Sequence, residues 1–317
     1  MLTACSSPSG DGSAASGDTL PVHLQRFEQV LFNTPVGDLQ TRLQSERENF
    51  QSPLLNCEPD NPDYMQMLRG FVSDPTMRYI YRITDSLYHD LGWLEQELGI
   101  ALGRAHELCP EMEYDKFYTL VTADFDNYDT RIFCYNREMA ISIDRYALSG
   151  MGQKDFFGVP AYLVQLCRRE YIVPDCIAAT AMDHISLPDH ELTLLDFIIY
   201  RGKVLYFLDK VLPDTPDAVK LRYTPEQLDW MQGNVQNVWG WLIQKEMLYS
   251  TDLSLMRNLI SDAPRTNAFG EGSAPRTCDY IGWQIVKKYM ANGNITVSQL
   301  FADTESQKIL EQSGWRP

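Results

Sequence analysis

Histidine is scarce in this chain, five in 317 residues, and the motifs that would recruit one to chemistry are missing. His23, His89 and His106 stand apart in the first third; only His184 and His190 fall near the middle. A helical zinc site needs two imidazoles one turn apart on one face. His190-Glu191-Leu192-Thr193-Leu194 opens that pattern and closes it on leucine, so the second ligand is absent. The simpler reading has Asp189-His190-Glu191 capping the apolar helix that follows. GxSxG, a glycine-rich phosphate loop and a dinucleotide fingerprint are also absent, which leaves no local signal for a serine hydrolase, a nucleotide hydrolase or a nicotinamide enzyme. There is no CxxC, hence no redox or zinc-ribbon signature. Basic residues are in deficit, 27 against 43 acidic, giving a net charge of −16. That balance argues against nucleic acid and against electrostatic docking on anionic lipid. No run approaches the roughly 18 apolar residues of a membrane span. No metal and no cofactor is expected.

What is there begins at the N-terminus. Leu2-Thr3-Ala4-Cys5 matches the end of a bacterial lipoprotein signal peptide, whose cysteine is lipidated and becomes the mature N-terminus. The basic and long apolar parts of such a signal do not precede it, so a trimmed or misassigned start is expected. Ser6 to Gly17 is Ser, Gly, Ala and Asp with one Pro, the composition of a flexible tether. No dense acidic cluster follows Cys5, which favours the periplasmic face over surface export. The remaining cysteines, Cys57, Cys109, Cys134, Cys167, Cys176 and Cys278, are either bridged in an unspecified pairing or buried as free thiols.

Residues 1–19 therefore read as lipobox and tether, 20–112 as a helical module and 113–317 as an α+β module, the last two forming one compact unit. Leu20 to Phe27 is a short strand or a helix start. Asp38 to Asn49 is helical but too polar to bury a face. Asp60 to Val72, the stretch after Asp74-Pro75, and Leu91 to Leu108 carry apolar residues at helical spacing. Phe117 to Ala123, Arg131 to Tyr135 and Met139 to Asp144, the last with period-two alternation, predict a small meander. The turn Asp124 to Asp129 departs from a calcium loop, because Tyr128 takes a ligand position and Tyr135 stands where the bidentate Glu belongs. Leu192 to Leu212 is apolar almost all round and predicts a central buried helix. Thr224-Pro225-Glu226-Gln227 reads as a capping box. The fold class is α+β, predominantly helical, a small antiparallel or mixed sheet among helices.

The most shaped segment runs from Trp239 to Met290. Its loop holds one tetrapeptide twice, Ala263-Pro264-Arg265-Thr266 and Ala274-Pro275-Arg276-Thr277, around Phe269-Gly270-Glu271-Gly272-Ser273. Arg265, Glu271 and Arg276 are candidate binding groups, since guanidinium on a stiff loop can hold carboxylate or phosphate bidentately. Tyr249, Tyr280 and Trp283 offer stacking surfaces, and Asp252 completes the cleft. The competing reading is internal: the arginines pair with Glu271, Asp262 or Asp279, or bond loop carbonyls.

Several segments resemble the gliding-motility-associated lipoprotein GldB family of Bacteroidota. They are Ile141-Ser142-Ile143-Asp144-Arg145-Tyr146, Phe197 to Tyr206, Leu248-Tyr249-Ser250-Thr251-Asp252, Ala263-Pro264 and Tyr280 to Met290. The likeness covers Leu20 to the end. It implies an envelope lipoprotein associated with the gliding machinery of motile members, with no established enzymatic chemistry. Expected partners are the membrane, through the lipid, and other envelope or motility proteins or cell-wall glycan. The expected location is the periplasmic face of the outer membrane.

The order of small sheet, helix and second helix with Gly202 near its middle, then Gly-Trp-Gln-Ile-Val, also resembles predicted zincin metallopeptidases. That likeness puts Ala179, Thr180 and Asp183 where His, Glu and His belong, and Arg201 in place of the third ligand, leaving a scaffold with a cleft. The alternatives are a metallopeptidase using Asp183, His184, His190 and Glu191, and a glycan- or peptide-binding lipoprotein. Asp18-Thr19-Leu20 resembles the O-glycosylation signal of the phylum, with Thr19 as acceptor.

Overall fold

Four strands and fifteen α-helices, with short 3-10 turns between some of them, organise a computed structural model that describes residues 19–124, 131–152 and 158–317. Cys5 and nearly all of the tether lie outside the described residues, as does most of the Asp124 to Asp129 turn. The chain enters along one helix, where Leu20 N–H donates to the Gly99 carbonyl at 3.1 Å. Strand β1 (Leu24–Arg26) follows, then α1 (Phe27–Asn33), α2 (Leu39–Ser45), α3 (Arg47–Phe50), α4 (Pro62–Ser73), α5 (Pro75–Leu87) and α6 (Gly92–Leu108). The starts of α4 and α5 are set by sequence. Asn61 and Asp74 each accept two backbone N–H groups and are followed by proline at the first helical position. The polar stretch from Asp38 departs from expectation. Leu39, Leu43 and Phe50 are buried at 0–3% exposure, because a helix this short needs only one residue per turn to be covered.

The sheet is not a meander. Strands β2 (Lys116–Leu120), β3 (Ile132–Tyr135) and β4 (Glu138–Ser142) join β1 in the order β1-β2-β4-β3. β1 and β4 both run parallel to β2, with Leu24 opposite Phe117 and Phe117 opposite Met139. Only β3 and β4 are antiparallel, Phe133 facing Ala140. Their turn is Asn136-Arg137, both at positive φ (49° and 67°), which suits a two-residue hairpin. The chain thus passes outside to make β3 and doubles back to insert β4 in the middle. A central strand is covered on both faces, so all five residues of β4 are buried and the expected period-two alternation does not appear.

The second half is helical. It comprises α7 (Ala161–Val164), α8 (Ile172–His184), α9 (Leu194–Val211), α10 (Asp217–Leu221), α11 (Pro225–Gln244), α12 (Leu253–Ile260), α13 (Thr277–Asn292), α14 (Val297–Ala302) and α15 (Ser306–Ser313). Capping boxes start α9 at Thr193 with Asp196, α11 at Thr224 with Gln227, and α14 at Thr296 with Gln299. The cap of α9 is therefore Thr193, not Asp189-His190-Glu191. Helix α9 is the central buried helix, and α13 is its main neighbour. Where they cross, a Cβ on Gly202 would lie 2.2 Å from the Gly282 carbonyl oxygen, and one on Gly282 would lie 1.9 Å from that of Ile198. Only glycine at both positions lets the two backbones touch.

Candidate functional site

Helices α8 and α9, the end of α12 and the start of α13 enclose a cleft of about 710 Å3. Part of its wall is apolar, from Ala178, Ala179 and Met182 on α8 and Val204, Leu205 and Leu208 on α9. Another part is charged, with Arg131, Arg201, Arg222 and Arg276 set among Asp175, Asp262 and Asp279.

Local backbone geometry aims these groups. Arg222 ends α10 in the left-handed conformation, φ 57°, and Arg276 precedes α13 at φ 43°. Tyr223 Oη donates to the Arg276 carbonyl at 3.1 Å and ties the two turns together. Asp175, in the first turn of α8, accepts from Arg222 Nη1 at 2.5 Å through one oxygen. Its other oxygen accepts from Tyr146 Oη at 2.8 Å and lies 3.6 Å from Arg131 Nε. Arg276 reaches Asp262 at 3.2 Å and Asp279 at 3.6 Å, and its Nη2 donates to the Leu221 carbonyl at 2.5 Å. Arg201 Nε lies 3.5 Å from Asp279.

The electrostatics follow from burial set against charge. Burial pulls the Asp175 carboxyl upward, but Arg222 and Arg131 outweigh it and hold it below the usual carboxylate range. Asp262 is lowered too: burial is again opposed, in decreasing order, by Arg276, Arg222, Arg131 and Arg201. All four guanidiniums therefore act on one carboxylate. Arg222 is driven well above its ordinary value, since Asp175 and Asp262 overcome its burial.

The residues singled out from sequence do not all meet here. Arg276 lines the cleft, and its partners are Asp262 and Asp279. Arg265 and Glu271 are exposed on the loop. Thr266 N–H and Oγ1 both donate to the Ala274 carbonyl, at 3.1 and 2.8 Å, so the two tetrapeptide copies fasten to each other. Gly270 and Gly272 take the positive φ values, 80° and 83°, that the return requires. Tyr249 is exposed and donates to Gln307 Oε1 at 2.6 Å. Asp252 caps α12. Trp283 is buried, with Tyr280 edge-on at 6.2 Å and Lys287 over its ring at 4.4 Å.

Of the positions set by the metallopeptidase likeness, Ala179 and Arg201 line the cleft. Thr180 is buried and donates to the Cys176 carbonyl at 3.0 Å, whereas Asp183 is exposed. His184 Nδ1 lies 2.9 Å from the Thr180 carbonyl oxygen, and His190 Nδ1 lies 3.0 Å from that of Glu191. Among the described residues no three His, Cys, Asp or Glu side chains are grouped as a metal site. The six described cysteines are free thiols. Thr19 is exposed beside α6. Sequence reasoning missed Arg131, Asp175 and Arg222, none of which lies in a motif.

No helix among the described residues is long and apolar enough to cross a membrane. No curated protein and no solved structure matches the chain. The family model described as gliding motility protein GldB matches residues 11–317, nearly the whole length. The chain belongs to the gliding motility protein GldB family.

Proposed function

We propose that this GldB-family chain is a lipid-anchored, non-enzymatic binding protein on the periplasmic face of the outer membrane, and that the cleft between α8 and α9 is its recognition site. Cys5 carries the lipid, and the tether up to Thr19 lets the folded part reach partners away from the membrane. The observation that supports this reading is the composition of the cleft. Ala179 and Arg201, which stand in ligand positions under the metallopeptidase likeness, line a cavity whose charged groups are four guanidiniums, three carboxylates and Lys220. Guanidinium does not titrate near neutral pH, so it serves as a fixed recognition charge better than as an acid or base. The volume falls in the roughly 300–1,000 Å3 range of small-ligand sites.

Two measurements test the reading. A photo-crosslinking residue at Ala179 in living cells is expected to trap a discrete adduct, while the same residue at exposed Gly233 on α11 traps none. Equal yields at both positions would remove the cleft from the proposal. Metabolic lipid labelling is expected to vanish in Cys5→Ala, and retained labelling would remove the anchor.

A further inference from the structure

A second cavity, of about 250 Å3, lies where the segment after α8 meets the first half of α9 and the start of α15. It shares no lining residue with the cleft between α8 and α9. Leu187, Pro188, Leu192, Phe197 and Ile199 give it an apolar wall, and its polar side chains besides Lys203 are Ser186, Asp196, Tyr200, Thr304 and Ser306. We propose that this pocket is a reversible covalent capture site for a small apolar aldehyde, held as an imine of the Lys203 amine.

The position of the amine carries the argument. Ile199, Lys203 and Phe207 follow one another at single-turn spacing on α9 and all three are buried, so an amine stands in a stripe of core side chains. Lys203 is 3% exposed, and its Nζ donates to the Asp303 carbonyl at 2.5 Å, a neutral acceptor. The carboxylates around it are engaged elsewhere. That of Asp303 accepts from Lys308 at 2.9 Å, Tyr289 at 3.2 Å and the Glu305 N–H at 3.1 Å. That of Asp196 accepts from the Thr193 N–H and Oγ1 at 2.9 and 2.6 Å, with His190 at 3.9 Å. Burial therefore outweighs the attraction of Asp303 and brings the ammonium down to about 8. Roughly a tenth of it is free amine at pH 7, far more than for a lysine in water. A desolvated lysine of this kind attacks carbonyl carbon.

The wall sets the ligand class. A cavity of roughly 150 Å3 lined by apolar side chains takes up benzene, so this one has room for an apolar ring or short chain with its carbonyl at Lys203. The free amine adds to the carbonyl carbon as a proton passes from nitrogen to oxygen. The hydroxyl then leaves with the second nitrogen proton as water, and a C=N bond remains. No oxidant or reductant is needed, and the apolar wall keeps water from the reverse hydrolysis.

Reductive trapping of the full chain tests the proposal. Benzaldehyde is supplied at pH 7 with cyanoborohydride, which delivers hydride to the imine carbon, and the benzylated lysines are mapped by mass spectrometry. Lys203 is expected to be labelled about tenfold or more faster than exposed Lys245 and Lys288. With glyceraldehyde, which is polar, that preference is expected to disappear. Leu192→Trp, which fills the pocket and keeps the amine, is expected to slow Lys203 labelling to the rate of the exposed lysines. Lys203→Met is expected to abolish the fast label, and circular dichroism establishes that both variants are folded. Labelling of Lys203 no faster than of Lys245, an equal preference with glyceraldehyde, or fast labelling that survives Leu192→Trp would overturn the proposal. The Ala179 crosslink is independent of every one of these outcomes, because Lys203 does not line the cleft.

Discussion

Replacing Asp175 by Asn would strip two arginines of the carboxylate they share. Arg222 is 9% exposed and would keep a 3.5 Å bond to the Leu166 carbonyl, the Tyr171 ring at 5.3 Å and the attraction of Asp262, but no close carboxylate of its own. Removing one partner of a buried ion pair costs on the order of 3–5 kcal/mol, so urea unfolding of Asp175→Asn is expected to show a loss of that size. Arg265→Gln, exposed on the loop, is expected to lie within about 0.5 kcal/mol of the parent. Lys203 behaves in the opposite sense. Burial pushes its ammonium down to about 8 despite nearby Asp303, and it donates to the Asp303 carbonyl at 2.5 Å. The unfolded chain keeps the ordinary 10.5, so between pH 8 and 10.5 the unfolded state binds more protons and stability rises with pH. Below pH 8 the protein carries the whole penalty of a buried charge. Lys203→Met is therefore expected to be more stable at pH 7 by about 1–3 kcal/mol, an advantage that shrinks toward pH 10. Melting temperatures at pH 7 and pH 9.5 decide this; a variant that gains nothing at pH 7 would show that the hydrogen bond outweighs the desolvation. At this scale the sequence was only partly legible. Arg276 stood out because its tetrapeptide is doubled. Arg222 and Asp175 carried no mark, since they meet across 47 positions of chain and only the packing of α8 against the turn after α10 joins them.

Helices were the most readable elements, because their signals are local. Asn61-Pro62, Asp74-Pro75 and Thr224-Pro225 each start a helix, as side-chain acceptors followed by proline require. The sheet was least readable. Whether β4 lies beside β2 or at an edge depends on a chain path that no residue of β4 encodes, and a strand buried on both faces loses its periodic signature. Glycines divide in the same way. A methyl group added at Gly233, on the exposed face of α11, would meet nothing within 4 Å, and Gly233→Ala is expected to stabilise by about 1 kcal/mol through helix propensity. Gly202→Ala would force a methyl against the backbone of α13, and thermal unfolding is expected to show a loss of about 3 kcal/mol or more. Equal effects at the two sites would mean that the helices separate without cost.

At the scale of the molecule, the first helices and the later sheet are bound together by buried polar contacts. Thr119 on β2 donates to Glu28 at 2.8 Å, Arg26 Nε donates to both, and β1 is itself a strand of the sheet. Residues 20–112 and 113–317 are expected to unfold in one transition, with tryptophan fluorescence and far-ultraviolet dichroism coincident. Two separated transitions would show that the halves are independent. The glycine crossing of α9 and α13 carries this further. Gly202 and Gly282 are in close backbone approach, and Ile198, Gly202 and Gly282 are all buried. In deuterated water the amide hydrogens from Ile198 to Gly202 and from Gly282 to Val286 should be the last to exchange, at a rate set by opening of the whole molecule. Gly202→Ala should bring those same positions into step with the surface. The slowest protons in the protein would then mark the floor on which its cleft is built.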